Sequence, residues 1–175
     1  MTGEFTEQAR SIIAGNRYLS LATCGPEGPW VAPIAYVVDG SYRFYWYSAV
    51  EARHSRHISE SGKAAVAIFD STLPSDTADG LQMDGTAGEV QSAELAEVMR
   101  LYWTQSFPDP DVRARWMRPA PDFQGEAPQR FYWFAPNRVF KPDPTSLKVD
   151  RRVEISLDRL RERAAHPIES AARTP

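Results

Sequence analysis

A chain of 175 residues, 42% of them apolar, suits a single domain with a real core. Its formal charge of −3, with lysines and arginines scattered rather than striped, argues against a nucleic-acid surface and for small molecules or a second copy of the chain as partners. Cys24 is the lone cysteine, which excludes an intramolecular disulfide and a cysteine zinc cluster and fits a reducing compartment. The acidic opening shows no signal peptide, and the apolar runs 31–38 and 64–69 are far shorter than the ~18 residues of a membrane span. A cytoplasmic protein without membrane contact is expected.

The chain opens with apolar residues at Phe5, Ala9, Ile12 and Ile13, which is close to helical spacing, and Gly15-Asn16 suits a C-terminal cap. Tyr18 to Cys24 alternates as a strand, residues 25–29 turn, and Trp30 to Val38 returns as its hairpin partner. Asp39-Gly40 is a strong hairpin signal leading into the aromatic strand Tyr42 to Tyr47. A helix is expected over Ala52 to Ser61, closed by Gly62. Lys63 to Phe69 reads as a central strand buried on both faces. Residues 70–80 form a loop long enough for a lid or a dimer contact.

Residues 81–90 read as a strand whose glycines mark a bulge or a close backbone approach. With Ser92 as N-cap, Leu95, Val98, Met99 and Tyr102 share one face of a helix to about Ser106, which Pro108 ends. Asp109 to Met117 suggests one more helical piece, and residues 118–128 a proline-rich loop. Phe131 to Phe134 and Arg138 to Phe140 resume strand character around Pro136-Asn137. Val153, Ile155, Leu157 and Leu160 suit a short strand and a helical turn, and the end from Glu162 is expected to be disordered. The total is about six strands and two or three helices.

The stretch from Tyr47 to Ile58 concentrates hydroxyls, cations and imidazoles at a strand end and a helix start. Free N–H groups at a helix N-terminus attract anions, and Ser48, Arg53, Ser55 and Arg56 would add donors and charge, although the same pattern also describes a solvated helix face. Neither GxGxxG nor GxxxxGK[ST] occurs, so nucleotide-binding folds of those types are set aside, and no GxSxG elbow supports a serine nucleophile. His54 and His57 with Glu51 lack a third imidazole or thiolate at ligand spacing, so no metal site is assigned. Trp46, Trp103, Trp116 and Trp133 suit either a stacked ring or an ordinary core.

In their order, several pieces of the chain resemble the FMN-binding split-barrel superfamily of pyridoxamine 5'-phosphate oxidase-like proteins. They are Tyr18 to Thr23 with its Gly-Pro-x-Gly turn, Val31 to Tyr36, Tyr47-Ser48 with residues 53–58, Ala64 to Asp70, and Gln82 ahead of Gly85-Thr86-Ala87. The resemblance implies a mainly β (α+β) fold, a six-stranded antiparallel split β-barrel with flanking helices. It implies a homodimer with FMN at the interface, a barrel domain over residues 1–145 and a C-terminal extension over 146–175. It places backbone of Pro33, Ile34, Ala35 and Tyr36 against the isoalloxazine edge and Tyr47 and Ser48 near phosphate and ribityl. Arg53 and His54, with Ser55, fall at the phosphate, Gln82 at the ring, and Trp133 and Arg138 toward the partner's flavin.

The chain departs from true pyridoxamine-phosphate oxidases in three places. Ala32 and Val37 carry no charge, residues 91–130 lack the substrate-phosphate signature, and residues 140–144 replace the family's Arg-Leu-His-Asp-Arg type ending. The expected function is therefore an FMN-dependent oxidoreductase acting on a small organic substrate other than pyridoxine phosphate, with NAD(P)H as a candidate reductant and no catalytic side chain named. The alternatives are an F420-dependent reductase, or a non-enzymatic flavin- or haem-binding module with His54 or His57 as candidate iron ligand.

Overall fold

The computed structural model describes residues 2–74, 79–143 and 151–162. Helix α1 covers Thr2–Gly15 and is capped by Asn16, whose side-chain amide donates to the Ile12 carbonyl at 2.8 Å. Strands β1 (Tyr18–Gly25) and β2 (Gly28–Ala35) form the expected hairpin, with Gly25 paired to Gly28 across Pro26-Glu27. Gly28, at φ 90°, takes the left-handed backbone that the tight turn requires. The expected strand 30–38 is broken at Tyr36, and its end, β3 (Val37–Val38), pairs with β4 (Phe44–Ala49) instead.

That single-residue break sets the architecture. The strand order is β2-β1-β5-β6-β7-β4-β3, with β5 at Lys63–Phe69, β6 at Gly80–Glu89 and β7 at Gln129–Pro142. The two ends of this order, β2 and β3, are joined by Tyr36 alone, so the antiparallel sheet curls until its edges meet without pairing there. The Tyr36 hydroxyl donates to the Ile13 carbonyl at 2.6 Å and its ring packs edge-on against Phe44, which ties the seam to α1. Pro33 is tolerated because β2 is an edge strand. An additional strand, β8 (Arg152–Ile155), pairs with β7 and leads into a short C-terminal helix, so eight strands are described rather than six.

Ile155 and the fully buried Leu160 join the barrel core, so the described part of the segment beyond residue 145 shares that core. Residues from 163 onward and 75–78 within the 70–80 loop lie outside the described residues, as do the expectations made for them. The interior is filled by Phe44, Trp46, Phe134, Leu21 and Ile68, each fully buried and worth roughly 1.5–3 kcal/mol. A second cluster lies outside the barrel wall, where α3 (Ser92–Ser106) covers β4 and β7 through Val98, Tyr102 and Trp103. Gln91, not Ser92, is the N-cap of that helix. Helix α4 (Pro110–Trp116) follows, with the Asp109 carboxylate accepting from Asp111 and Val112, and a 3-10 turn at Ala120–Phe123 returns the chain to β7. The C-terminal helix, Leu157–Glu162, is α5.

Strand β5 corrects one expectation. It alternates, with Ala64, Val66 and Ile68 inward and Ala65 and Phe69 exposed, because no helix among the described residues covers the outer face of β2, β1 and β5. No helix among the described residues is long and apolar enough to cross a membrane.

The bulge between Asp84 and Gly85 falls where the glycines indicated one. A Cβ at Gly85 would stand 2.1 Å from the Ala135 carbonyl oxygen, and Pro136 sits opposite, where a bulge tolerates it. Gly85→Ala is expected to lower the unfolding free energy by about 1–3 kcal/mol, whereas Gly15→Ala, with nothing within 4 Å of the added Cβ, should destabilise far less. Urea denaturation of both variants checks this.

Candidate functional site

Helix α2 (Arg53–Ser61) closes one end of the barrel, between the β1–β2 turn and the ends of β4, β6 and β7. Gly62 ends it in the left-handed conformation expected of a helix terminator. Ile58, His54 and His57 are buried. The His57 Nδ1 lies 3.1 Å from the Thr23 hydroxyl, and its ring is packed so closely on the turn that a Cβ at Gly25 would meet it at 2.4 Å. The His54 Nε2 lies 2.9 Å from the Ser48 hydroxyl. Burial first, and the neighbouring His57 second, hold the His54 imidazole below its ordinary value of 6.5.

The helix start carries no side-chain cap: Ala52 is the N-cap residue and offers no acceptor. Arg53 and Arg56 lie beside it. The Arg53 guanidinium lies over the Trp30 ring at 4.9 Å, its Nη2 donates to the Glu27 carbonyl, and its Nε stands 3.2 Å from Glu27 Oε2 without hydrogen-bond alignment. Arg56 Nη1 donates to the Glu51 carbonyl at 2.6 Å, and Nη2 reaches Glu27 Oε1 at 3.3 Å. Two residues along a helix is about 200°, so Ser55 turns away from Arg53. Ser55 lines a cleft of about 550 Å³ between α2 and the ends of β6 and β7, with Glu51, Ser59, Glu60, Gly88 and Tyr132.

The uncovered outer face of the sheet holds a second group. Pairing aligns Pro33, Ser20, Ala67, Gln82 and Phe140 in one row across β2, β1, β5, β6 and β7, and Val31, Ala22, Ala65, Asp84 and Arg138 in the next. Side chains alternate faces along a strand, so Pro33, Ala35 and Gln82 share this surface, with Gln82 about 14 Å from Pro33. The small residues between them leave a flat floor. The Gln82 Oε1 accepts from Arg152 at 2.7 Å, and Arg138 is ion-paired with Asp84 at 2.6 Å. The bulge in β7 keeps Trp133 and Arg138 on the outer side, where the Trp133 ring packs over Gly88 and under Arg43, 4.8 Å away.

For Ile34 and Tyr36 the resemblance implies backbone contact only, and the side chains of these two residues and of Tyr47 are engaged away from both groups. Ile34 points into the barrel core, Tyr36 is fastened to α1, and the Tyr47 ring sits among Tyr102, Phe123 and Phe131 in the second cluster. Within that cluster burial pushes the Tyr102 phenol up to about 12. Ser48 and His54 are in contact beside the α2 start, where Arg53 instead meets Glu27 and Trp30, while Pro33, Ala35, Gln82 and Arg138 are spread across the open sheet face. Glu27 and Trp30 are the neighbours that sequence reasoning did not assign to the site, since their approach depends on the hairpin turn folding back onto α2, whereas Arg56 was read there as a further donor.

A model of the pyridoxamine 5'-phosphate oxidase family matches residues 5–141 of the chain. The chain belongs to this family. No curated protein matches its sequence. Among solved structures, a haem-binding protein from Mycobacterium smegmatis is similar with a TM-score of 0.65 at 19% identity, covering 90% of this chain and 60% of that one. A haem storage protein from Vibrio cholerae has a TM-score of 0.60 at 17% identity, covering 77% of this chain and 92% of that one. An FAD-binding protein from Mesorhizobium loti has a TM-score of 0.58 at 15% identity, covering 77% and 91%. At such identities the family member shares the fold of these proteins, and the likeness carries no more than that.

The His54 environment has a pH consequence. A histidine whose folded pKa is depressed favours the neutral form, so its contribution is intact above the unfolded pKa near 6.5 and is lost as pH falls from there toward the folded value. Between pH 7.5 and 5, thermal melts of wild type should fall more steeply than those of His54→Gln, and parallel slopes would contradict the assignment.

Proposed function

We propose that this member of the pyridoxamine 5'-phosphate oxidase family is an FMN-dependent oxidoreductase, working as a homodimer on a small organic substrate other than pyridoxine phosphate. The observation that carries the reading is the uncapped start of α2 with Arg53 and Arg56 beside it, because N–H groups and guanidinium ions together suit a phosphate. The flat outer floor of Ser20, Ala22, Ala65 and Ala67, with the Gln82 amide on it, suits a planar ring, so the residues present fit this cofactor.

In this reading the α2 N–H groups and Arg53 would hold the phosphate, and Ser48, positioned by its contact with His54, would serve the neighbouring ribityl region. Backbone at Pro33 and Ala35 and the Gln82 amide would orient the ring, and Arg138 and Trp133 would serve the partner's site. When bound, FMN supplies the hydride chemistry. The chain's part is to orient the ring and to exclude water, the latter through dimer contact over the bare face where Val31 and Phe69 stand exposed.

A substrate other than pyridoxine phosphate is proposed from the uncharged Ala32 and Val37 and from residues 91–130, which lack the substrate-phosphate signature of the resembled oxidases. Haem binding is the second reading: solved structures similar to the chain include a haem-binding and a haem storage protein, and the buried His57 Nε2 has no hydrogen-bond partner while Nδ1 meets the Thr23 hydroxyl, as the second nitrogen of a histidine ligand commonly does.

Visible spectra after reconstitution separate the cofactors: FMN gives bands near ~450 and ~370 nm, F420 one near ~420 nm, and haem a Soret band. Arg53→Ala should weaken FMN by roughly 10- to 100-fold, from the ~1.5–3 kcal/mol of a charge-assisted contact, and leave riboflavin affinity unchanged. Equal losses for both flavins in fluorescence titrations would show that Arg53 acts through structure. Sedimentation should give about twice 19.7 kDa, and a monomer that holds flavin would contradict the dimer.

A further inference from the structure

We infer that Glu27 sets the anion affinity of the α2 start, its carboxylate standing where a phosphate would and yielding the two arginines when a phosphate-bearing ligand arrives. This rests on the reading of that corner as the phosphate site. One carboxylate serves both guanidinium ions, at 3.2 Å from Arg53 Nε and 3.3 Å from Arg56 Nη2. Glu27 lies in the two-residue turn between β1 and β2, and its side chain is 59% exposed. It therefore has room to swing into solvent without unfolding the hairpin.

The alternative role for such a glutamate is to position the arginines, and the contacts argue against it. Arg53 keeps its place without the carboxylate, through the Trp30 ring at 4.9 Å and the backbone carbonyls of Glu27 and Gly28. Arg56 is likewise held by the Glu51 carbonyl at 2.6 Å. The carboxylate's own contacts are weaker: that to Arg53 is not aligned as a hydrogen bond, and exposed pairs of this kind are readily exchanged. What Glu27 chiefly adds is negative charge beside the uncapped helix start. A phosphate dianion brings more charge and three acceptor oxygens, so it displaces the carboxylate, and any carboxylate that stays nearby repels it.

The test compares wild type with Glu27→Gln, which keeps the shape of the side chain and removes the charge, and with Glu27→Ser as a second variant should the first fold poorly. FMN and riboflavin are titrated by fluorescence quenching, and inorganic pyrophosphate by NMR of the arginine Nε–Hε signals. Both variants should bind FMN and pyrophosphate about 3- to 10-fold more tightly, with riboflavin unchanged. Weaker or unaltered binding of FMN and pyrophosphate in the variants overturns the inference. If pyrophosphate tightens in the variants while no protein binds FMN, the role of Glu27 stands and the flavin reading falls. If FMN binds all the proteins equally, the flavin reading survives and the role of Glu27 is lost.

Discussion

The closure at Tyr36 is the constraint on which the rest of the molecule depends. One residue separates a strand at one end of the sheet order from a strand at the other, so the sheet has to curl until these edges lie side by side. Tyr36 holds the seam by bonding to the Ile13 carbonyl and packing on Phe44, and α1 thereby closes the barrel at that end. Curling also separates the surfaces by function. The inner face becomes the core, α3 covers the outer face at β4 and β7, and the outer face of β2, β1 and β5 is left bare and lined with small or apolar residues.

At the opposite end α2 acts as a plug, and its buried face fixes what its exposed face can do. Ile58, His54 and His57 enter the barrel end, with the His57 ring against Gly25 so tightly that the helix has little rotational freedom. That seating aims Arg53 and Arg56 at the β1–β2 turn and Ser55 at Tyr132 on the other side. The placement of two arginines beside the uncapped helix start is thus a consequence of how two buried imidazoles are accommodated, and the Ser48–His54 contact links α2 directly to the end of β4.

Much of this was legible in the sequence because it is local. Alternation marked β1, Gly62 marked the end of α2, and the glycines of β6 marked the bulge, since each reflects a conformational requirement of a few consecutive residues. The break at Tyr36 was not legible: residues 30–38 carry continuous strand character, and only closure against α1 makes an interruption there favourable. Where the Tyr47 ring goes was not legible either, since it faces outward toward α3, a partner more than forty residues away. Glu27 was hidden for the same reason, since no short-range pattern announces that a turn residue will meet a helix. Of the residues named on resemblance, Arg53 lies at the start of α2 and Gln82 on the outer sheet face, and the Ile34 side chain is in the core.

The central claim is that one surface, running from the α2 start over the bare face of β2, β1 and β5 to Gln82, holds the flavin. Amide hydrogen exchange measured with and without FMN tests it directly. The account predicts added protection in peptides covering residues 18–22, 29–36, 52–56 and 64–69 and near Gln82, with little change in α3 and α4. Protection confined to α3 and α4, or to the cleft between α2 and Tyr132, would contradict it.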